Sequence, residues 1–245
     1  MLKIIGETHP GRVRSMNQDV FYYEVLGDNF AYAIVCDGMG GARAGDVASK
    51  VSCDMISAYF ARDLKPGMNS MSIKSVMLSA VSAANAKVFS MAKENIEYSG
   101  MGTTVVAAVL DGNDLHIVNV GDSRLYVSDE NNAQQVTSDH TYTQHMLELG
   151  KITPEEALTH NKRHQLTRAI GVGDMLNIDY QIMQIENNKN VLLCSDGFSN
   201  YINSNEVLAE LLSKAVKNKN TKHLIDYANN KGGSDNITAV IIYRS

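Results

Sequence analysis

Residues 103–120 read Thr-Thr-Val-Val-Ala-Ala-Val-Leu-Asp-Gly-Asn-Asp-Leu-His-Ile-Val-Asn-Val. Two runs rich in β-branched residues, 103–110 and 115–120, flank the tetrapeptide Asp111-Gly112-Asn113-Asp114. Glycine and asparagine tolerate the positive φ of a tight turn, so this stretch predicts an antiparallel hairpin. Outward from it, residues 2–8, 20–25 and 31–36 on one side and 178–185, 190–194 and 236–243 on the other show the same β-type character. Residues 124–128 and 134–137 are expected to extend the hairpin's own meander.

Helical periods interrupt the strands. From Arg43, Val47, Val51, Met55 and Tyr59 recur every four residues with Ala48, Ile56 and Phe60 beside them, which is one apolar helical face. Lys65-Pro66-Gly67 ends that helix, and a second, with Ile73, Val76, Met77, Ala80, Ala84 and Val88 on one face, runs to about Asn95. Two more helices are expected at 204–217 and 221–230, while 139–170 reads as polar, helix-prone and irregular. The order lacks regular β-α-β alternation, which argues against a doubly wound parallel sheet and for an α+β fold of antiparallel sheet covered by helices.

The 245 residues lie between one and two domains at ~150 residues each, and one domain over 1–245 is the expectation. Hydrophobic residues at 44% and charged ones at 20% suit a globular chain with a sizeable core, not a disordered one. A net charge of −5 gives no basic face for a nucleic-acid partner. No apolar run approaches the ~20 residues of a membrane span, and residues 1–7 lack the apolar core of a secretory leader. Cys36, Cys53 and Cys194 show no paired spacing, so free buried thiols and a reducing, cytoplasmic setting are expected. Cys36 and Cys194 each adjoin an aspartate of interest and are expected to approach one another.

The aspartates carry the chemical signal. The apolar run 31–36 ends in Asp37-Gly38-Met39-Gly40-Gly41, and 191–195 ends in Asp196-Gly197. Residues 115–120 lead into Gly121-Asp122-Ser123-Arg124, and Gly232-Gly233-Ser234-Asp235-Asn236 precedes the last strand. Any one such aspartate reads as turn chemistry, as Asp111-Gly112 does. Four together would raise one another's pKa and need a positive partner. Oxygen donors without a Cys/His cluster point to Mg²⁺ or Mn²⁺ rather than zinc. Arg14, in Arg14-Ser15-Met16-Asn17-Gln18-Asp19, has a planar fork that matches two phosphate oxygens.

These segments, with Gly102-Thr103-Thr104 and Ser195-Asp196-Gly197, stand in the order and spacing of the metal-dependent type 2C (PPM) serine/threonine protein phosphatases, and the chain resembles their compact bacterial members from about Gly6 to Val240. Asp139-His140, residues 150–153 and Arg168-Ala169-Ile170-Gly171 are also similar to family segments. The resemblance implies a four-layer α/β/β/α sandwich with residues 139–170 forming a flap. It implies that Asp37 bridges two metal ions, that the Gly38 carbonyl binds one, and that Asp196 and Asp235 bind the other. Asp122 with Asp196 matches a third metal position, Asp19 orients metal-bound water, Arg14 holds the substrate phosphate and Asn236 supports the site. The implied reaction is hydrolysis of phosphoserine and phosphothreonine on proteins by a metal-activated water, in a cytoplasmic, monomeric enzyme that opposes a serine/threonine kinase.

Two departures qualify the likeness. Many relatives have histidine, the leaving-group acid, where Met39 stands, and glutamate where Gln18 stands. Methionine donates no proton, so protonation must come from metal-bound water or another group. A non-catalytic phosphoprotein-binding module and a small-molecule phosphoesterase are the alternative readings; the first should have lost Asp37, Asp196 or Asp235. His160-x-x-x-His164 has the spacing of a helical metal pair but lacks the adjoining glutamate, and a solvated face is its ordinary reading. His160 and Arg163 are candidates to contact substrate from the flap.

Overall fold

The computed structural model describes residues 1–40 and 44–245; Gly41 and Arg43, quoted above, lie outside the described residues. Along the chain come β1 (Leu2–His9), β2 (Asp19–Gly27), β3 (Phe30–Met39), α1 (Ala44–Asp63), α2 (Ser70–Glu94), β4 (Gly102–Thr103), β5 (Val105–Asp111), β6 (Asp114–Val120), β7 (Arg124–Ser128) and β8 (Ala133–Gln135). They are followed by α3 (Tyr142–Glu148), α4 (Pro154–Thr159), β9 (Asp179–Gln184), β10 (Asn190–Cys194), α5 (Asp196–Ser199), α6 (Asn205–Asn218), α7 (Lys222–Asn230) and β11 (Ile237–Arg244). One sheet has the order β1-β11-β10-β7-β8 and the other β2-β3-β5-β6-β9, with β4 paired to β3. All strand pairs are antiparallel.

The hairpin forms as read, β5 on β6, with Val105 opposite Val120 and the turn at Gly112, whose φ is 56°. Both of its strands are apolar on both faces because each face meets a core. Ala33, Val35, Val106, Ala108, Ile117, Leu193 and Val240 fill the seam between the sheets. On the outer face, Ile34, Ala107, Val109 and Val118 pack against α1 and α2. Across the other sheet, Leu192, Ile237 and Ile241 pack against Leu208, Leu212 and Leu224 of α6 and α7. The layers are therefore helices, sheet, sheet, helices, as the resemblance implies.

Four expectations need correction. Strands β7 and β8 do not continue the hairpin's meander; they belong to the opposite sheet. The chain changes sheets at Gly121, whose φ of 105° lets the backbone turn against Thr104 at a place where a Cβ would come within 2.5 Å of the Thr104 methyl. The run 103–110 is broken at Thr104, because its amide and hydroxyl bond Asp37 at 2.9 and 3.0 Å. In α1 the deepest residues are Ala48, Ser49, Ser52, Cys53, Ile56 and Phe60, while Val47, Val51, Met55 and Tyr59 are only partly buried beside them. Small side chains bring α1 close to the sheet, and its flank carries the larger apolar ones. Finally, Cys36 neighbours Cys53 under α1, whereas Cys194 lies in the opposite helix–sheet layer. All three thiols are free and buried.

Leu193 is fully buried in the seam between the sheets. Leu193→Ala should destabilise the fold by about 2–5 kcal/mol. Urea denaturation should show a lower midpoint with an unchanged slope.

Candidate active site

Antiparallel order decides where the aspartates meet. The C-terminal ends of β3, β6 and β10 and the N-terminal ends of β2 and β11 all fall at one end of the sandwich. Asp37, Asp122 and Asp196 leave the first three, and Asp19 and Asp235 enter the other two. Asp19 is the direct cross-strand partner of Asp37. Both sheets thus contribute carboxylates to one cleft of about 650 Å³, lined by Asp37, Asp122, Asp196, Asp235, Arg14 and the Gly38 backbone.

Each side chain is held by its own contacts. The Asp37 carbonyl accepts from the Thr104 amide and from the Thr103 hydroxyl at 2.9 and 2.8 Å. A Cβ on Gly38 would overlap the Gly45 carbonyl oxygen, so only glycine lets the first turn of α1 sit against β3. Gly197 lies equally close to the Asn236 carbonyl, which ties the Asp196 end to the Asp235 end. Asp19 is 5% exposed; one carboxylate oxygen accepts from Ser195 and Thr238 hydroxyls, both at 2.7 Å, while Oδ1 is buried without a protein partner. Asn236 donates to the carbonyls of Pro10 and Met16 at 2.9 and 2.8 Å and accepts from the Gln18 amide at 2.8 Å. It therefore fastens both ends of the loop that carries Arg14. The Arg14 guanidinium donates to Asp235 at 2.8 Å.

The electrostatics follow from this crowding. Burial and then the charges of Asp19, Asp196, Asp122 and Asp235 push the Asp37 carboxyl well above the usual carboxylate range. Asp122 rises to about 8 through burial, Asp196 and Asp139. Asp19 rises to about 7 by burial, despite its two hydroxyl donors. Asp196 is raised by burial and by Asp235. A set of hard oxygen donors that raise one another's pKa, with an orphaned carboxylate oxygen buried on the strand beside it, fits a divalent cation. Among the described residues, no three acidic, imidazole or thiol groups close into a ready-made metal cluster. Arg14 is the positive partner that Asp235 has here.

The structure adds residues that the sequence reading passed over. Asn200, one turn beyond Asp196, donates to its carboxylate at 3.1 Å, and that i,i+4 spacing was a usable signal. The Tyr201 hydroxyl accepts from the Ser234 amide at 3.0 Å and so holds the loop before Asp235; no local pattern announced it. A second cavity of about 450 Å³ lies between the body and residues 141–164, and Asp139, Arg163 and His164 line it with Asp122. Asp139 grips the Arg124 guanidinium at 2.6–3.1 Å. The two histidines are not a helical pair. α4 ends at Thr159, His160 rests on the Tyr142 ring, and of the two histidines only His164 lines both cavities.

Comparison with known proteins identifies the family. The family model described as protein phosphatase 2C matches residues 5–230. A protein of Listeria welshimeri named serine/threonine phosphatase stp is 34% identical over 238 residues, covering 97% of this chain and 94% of that one. The solved serine/threonine phosphatase of S. agalactiae superposes with a TM-score of 0.92 at 30% identity, covering 100% of both chains. A catalytic domain of the serine threonine protein phosphatase PstP, solved with 2 manganese ions, superposes with a TM-score of 0.82 at 29% identity, covering 99% of this chain and 97% of that one. The chain belongs to the protein phosphatase 2C family.

Carboxyls whose folded pKa exceeds the unfolded value of ~3.9 bind protons in the native state that the unfolded chain has released. Their contribution is complete below about pH 4 and is lost as pH rises through about 7 for Asp19 and about 8 for Asp122. In cation-free buffer the thermal midpoint should therefore fall from pH 5 to pH 8. Millimolar Mn²⁺ should flatten that slope.

Proposed function

We propose that this chain hydrolyses phosphoserine and phosphothreonine on proteins, as one domain over residues 1–245 with 139–170 as its flap. The convergence of Asp37, Asp122, Asp196 and Asp235 on one cleft, with Arg14 at its edge, supports this reading. Asp37, the Gly38 carbonyl, Asp196 and Asp235 would hold two Mn²⁺ or Mg²⁺ ions, and Asp122 with Asp196 a third. Bound there, such ions lower the pKa of water and offset the charge of the phosphoryl group. Asp19, the cross-strand partner of Asp37 with its Oδ1 buried and unpartnered, would orient water held there.

Arg14 is anchored through one N–H and has four left, enough to hold two phosphate oxygens. Asn236, by fixing the Arg14 loop at Pro10, Met16 and Gln18, sets where that fork points. A non-catalytic phosphoprotein-binding module would have no use for this cluster of carboxylates, whose repulsion disfavours the fold. Phosphorylated proteins, including a serine/threonine kinase, are the proposed partners of a cytoplasmic monomer. Among the described residues no helix is long and apolar enough to cross a membrane.

Turnover of a phosphothreonine peptide should need Mn²⁺ or Mg²⁺, vanish in chelator and return when the ion is restored. Asp37→Asn should lower it on the order of 100-fold or more, the scale of removing one preorganised charge-stabilising group, with the fold intact by circular dichroism. Undiminished turnover in that variant would exclude Asp37 from the site.

A further inference from the structure

Hydrolysis of a phosphoserine forms a bond from a water oxygen to phosphorus and breaks the bond from phosphorus to the seryl oxygen. The electron pair of the broken bond stays on that oxygen, an alkoxide far more basic than a phenolate, and a proton must reach it. Met39, at the end of β3 in the cleft, carries none. Other groups in the cleft are poorly suited. Arg14 is too basic and is bonded to Asp235, the Tyr201 hydroxyl is tied to Ser234, and the Gln18 and Asn200 amides are not acids.

His164 remains. It lines the cleft with Asp37 and Asp196 as well as the cavity under the flap. Imidazole is the side chain whose ordinary titration range lets it give up a proton near neutral pH. Its position is fixed by both neighbours. The Arg163 carbonyl accepts from the Thr143 hydroxyl at 3.4 Å, and the Gln165 carbonyl accepts from the Tyr142 amide at 2.8 Å. A further bridge joins Thr141 to Leu166. The residue is exposed and lines the cleft.

The geometry points to His164 as the general acid for the leaving group. Its imidazolium N–H gives a proton to the departing seryl or threonyl oxygen as the bond to phosphorus breaks, and the neutral ring is reprotonated by solvent. This assignment rests on the phosphatase reading above.

The test compares leaving groups. His164→Gln should lower kcat for a phosphoserine peptide by about 10²–10⁴-fold, with KM changed by less than about threefold. Nitrophenyl phosphate, whose phenolate departs without a proton, should lose less than about tenfold in the same variant. Across substituted phenyl phosphates, kcat should depend more steeply on phenol acidity in His164→Gln than in wild type. Added imidazole should restore peptide turnover to His164→Ala. Equal losses on the peptide and the nitrophenyl ester, or no loss on the peptide, would overturn the assignment. A wild-type protein inactive on both substrates would instead overturn the phosphatase reading beneath it.

Discussion

The repulsion among Asp19, Asp37, Asp122 and Asp196 is the constraint around which the rest of this molecule is arranged. Asp19, Asp37 and Asp122 are each pushed upward by burial and by others of the four, and Asp196 by burial and by Asp235. Hydrogen-bond donors offset only part of this: two hydroxyls for Asp19 and one amide for Asp196. The remainder is borne by apolar layers that make no contact with substrate. The seam between the sheets and the two helix–sheet interfaces supply non-directional, area-proportional stabilisation, which tolerates an unfavourable patch at one end of the sandwich.

Backbone contacts bring the carboxylates together where side chains would keep them apart. Gly38 against Gly45, Gly197 against Asn236 and Gly11 against Asp235 are approaches that any Cβ would block. Each contact packs an element that carries a site residue against a neighbour: β3 on the start of α1, α5 on the entry of β11, and the Arg14 loop on that same entry. Gly11 also needs its φ of 83°. The glycines beside the aspartates are thus explained by main chain packed on main chain, which is a stricter requirement than the freedom of a turn.

How much of this was readable before the structure differed by element. The hairpin strands and β10 announce themselves because they are buried on both faces, so their apolar runs are unbroken. Asp37, Asp122, Asp196 and Asp235 stand out because each abuts such a run. Asp111 looks the same locally and is only a turn, its neighbour Gly112 accepting from Arg244; residue pattern alone does not separate the two cases. The change of sheet at Gly121 could not be read, since Gly-Asp-Ser-Arg is equally good chemistry for a tight turn within one sheet. The buried face of α1 lies one position from its apolar repeat because it includes Ser49 and Ser52, polar by type yet small enough to lie against a sheet. His164 was hidden for a different reason. Its significance is that it lines the same cleft as Asp196, and no periodicity encodes the placement of a residue in an irregular turn.

The same contrast between regular and irregular structure divides the labour within the cleft. Asp19, Asp37, Asp122, Asp196 and Asp235 sit at strand ends, where ladders of hydrogen bonds fix the backbone and leave little freedom to reposition charge. His164 and Arg163 sit in turns that α3 holds through a few bonds at Thr141, Tyr142 and Thr143. Arg14 is intermediate: its loop is irregular, but Asn236 ties the loop down and Asp235 fixes the guanidinium. Groups that must face a phosphoryl centre of constant shape gain from the rigid end, because misplaced charge stabilises poorly. Groups that must meet peptides of varied sequence gain from a segment that can adjust at small cost in broken contacts. A proton donor on that segment would link departure of the product to movement of the part of the fold that is held least tightly.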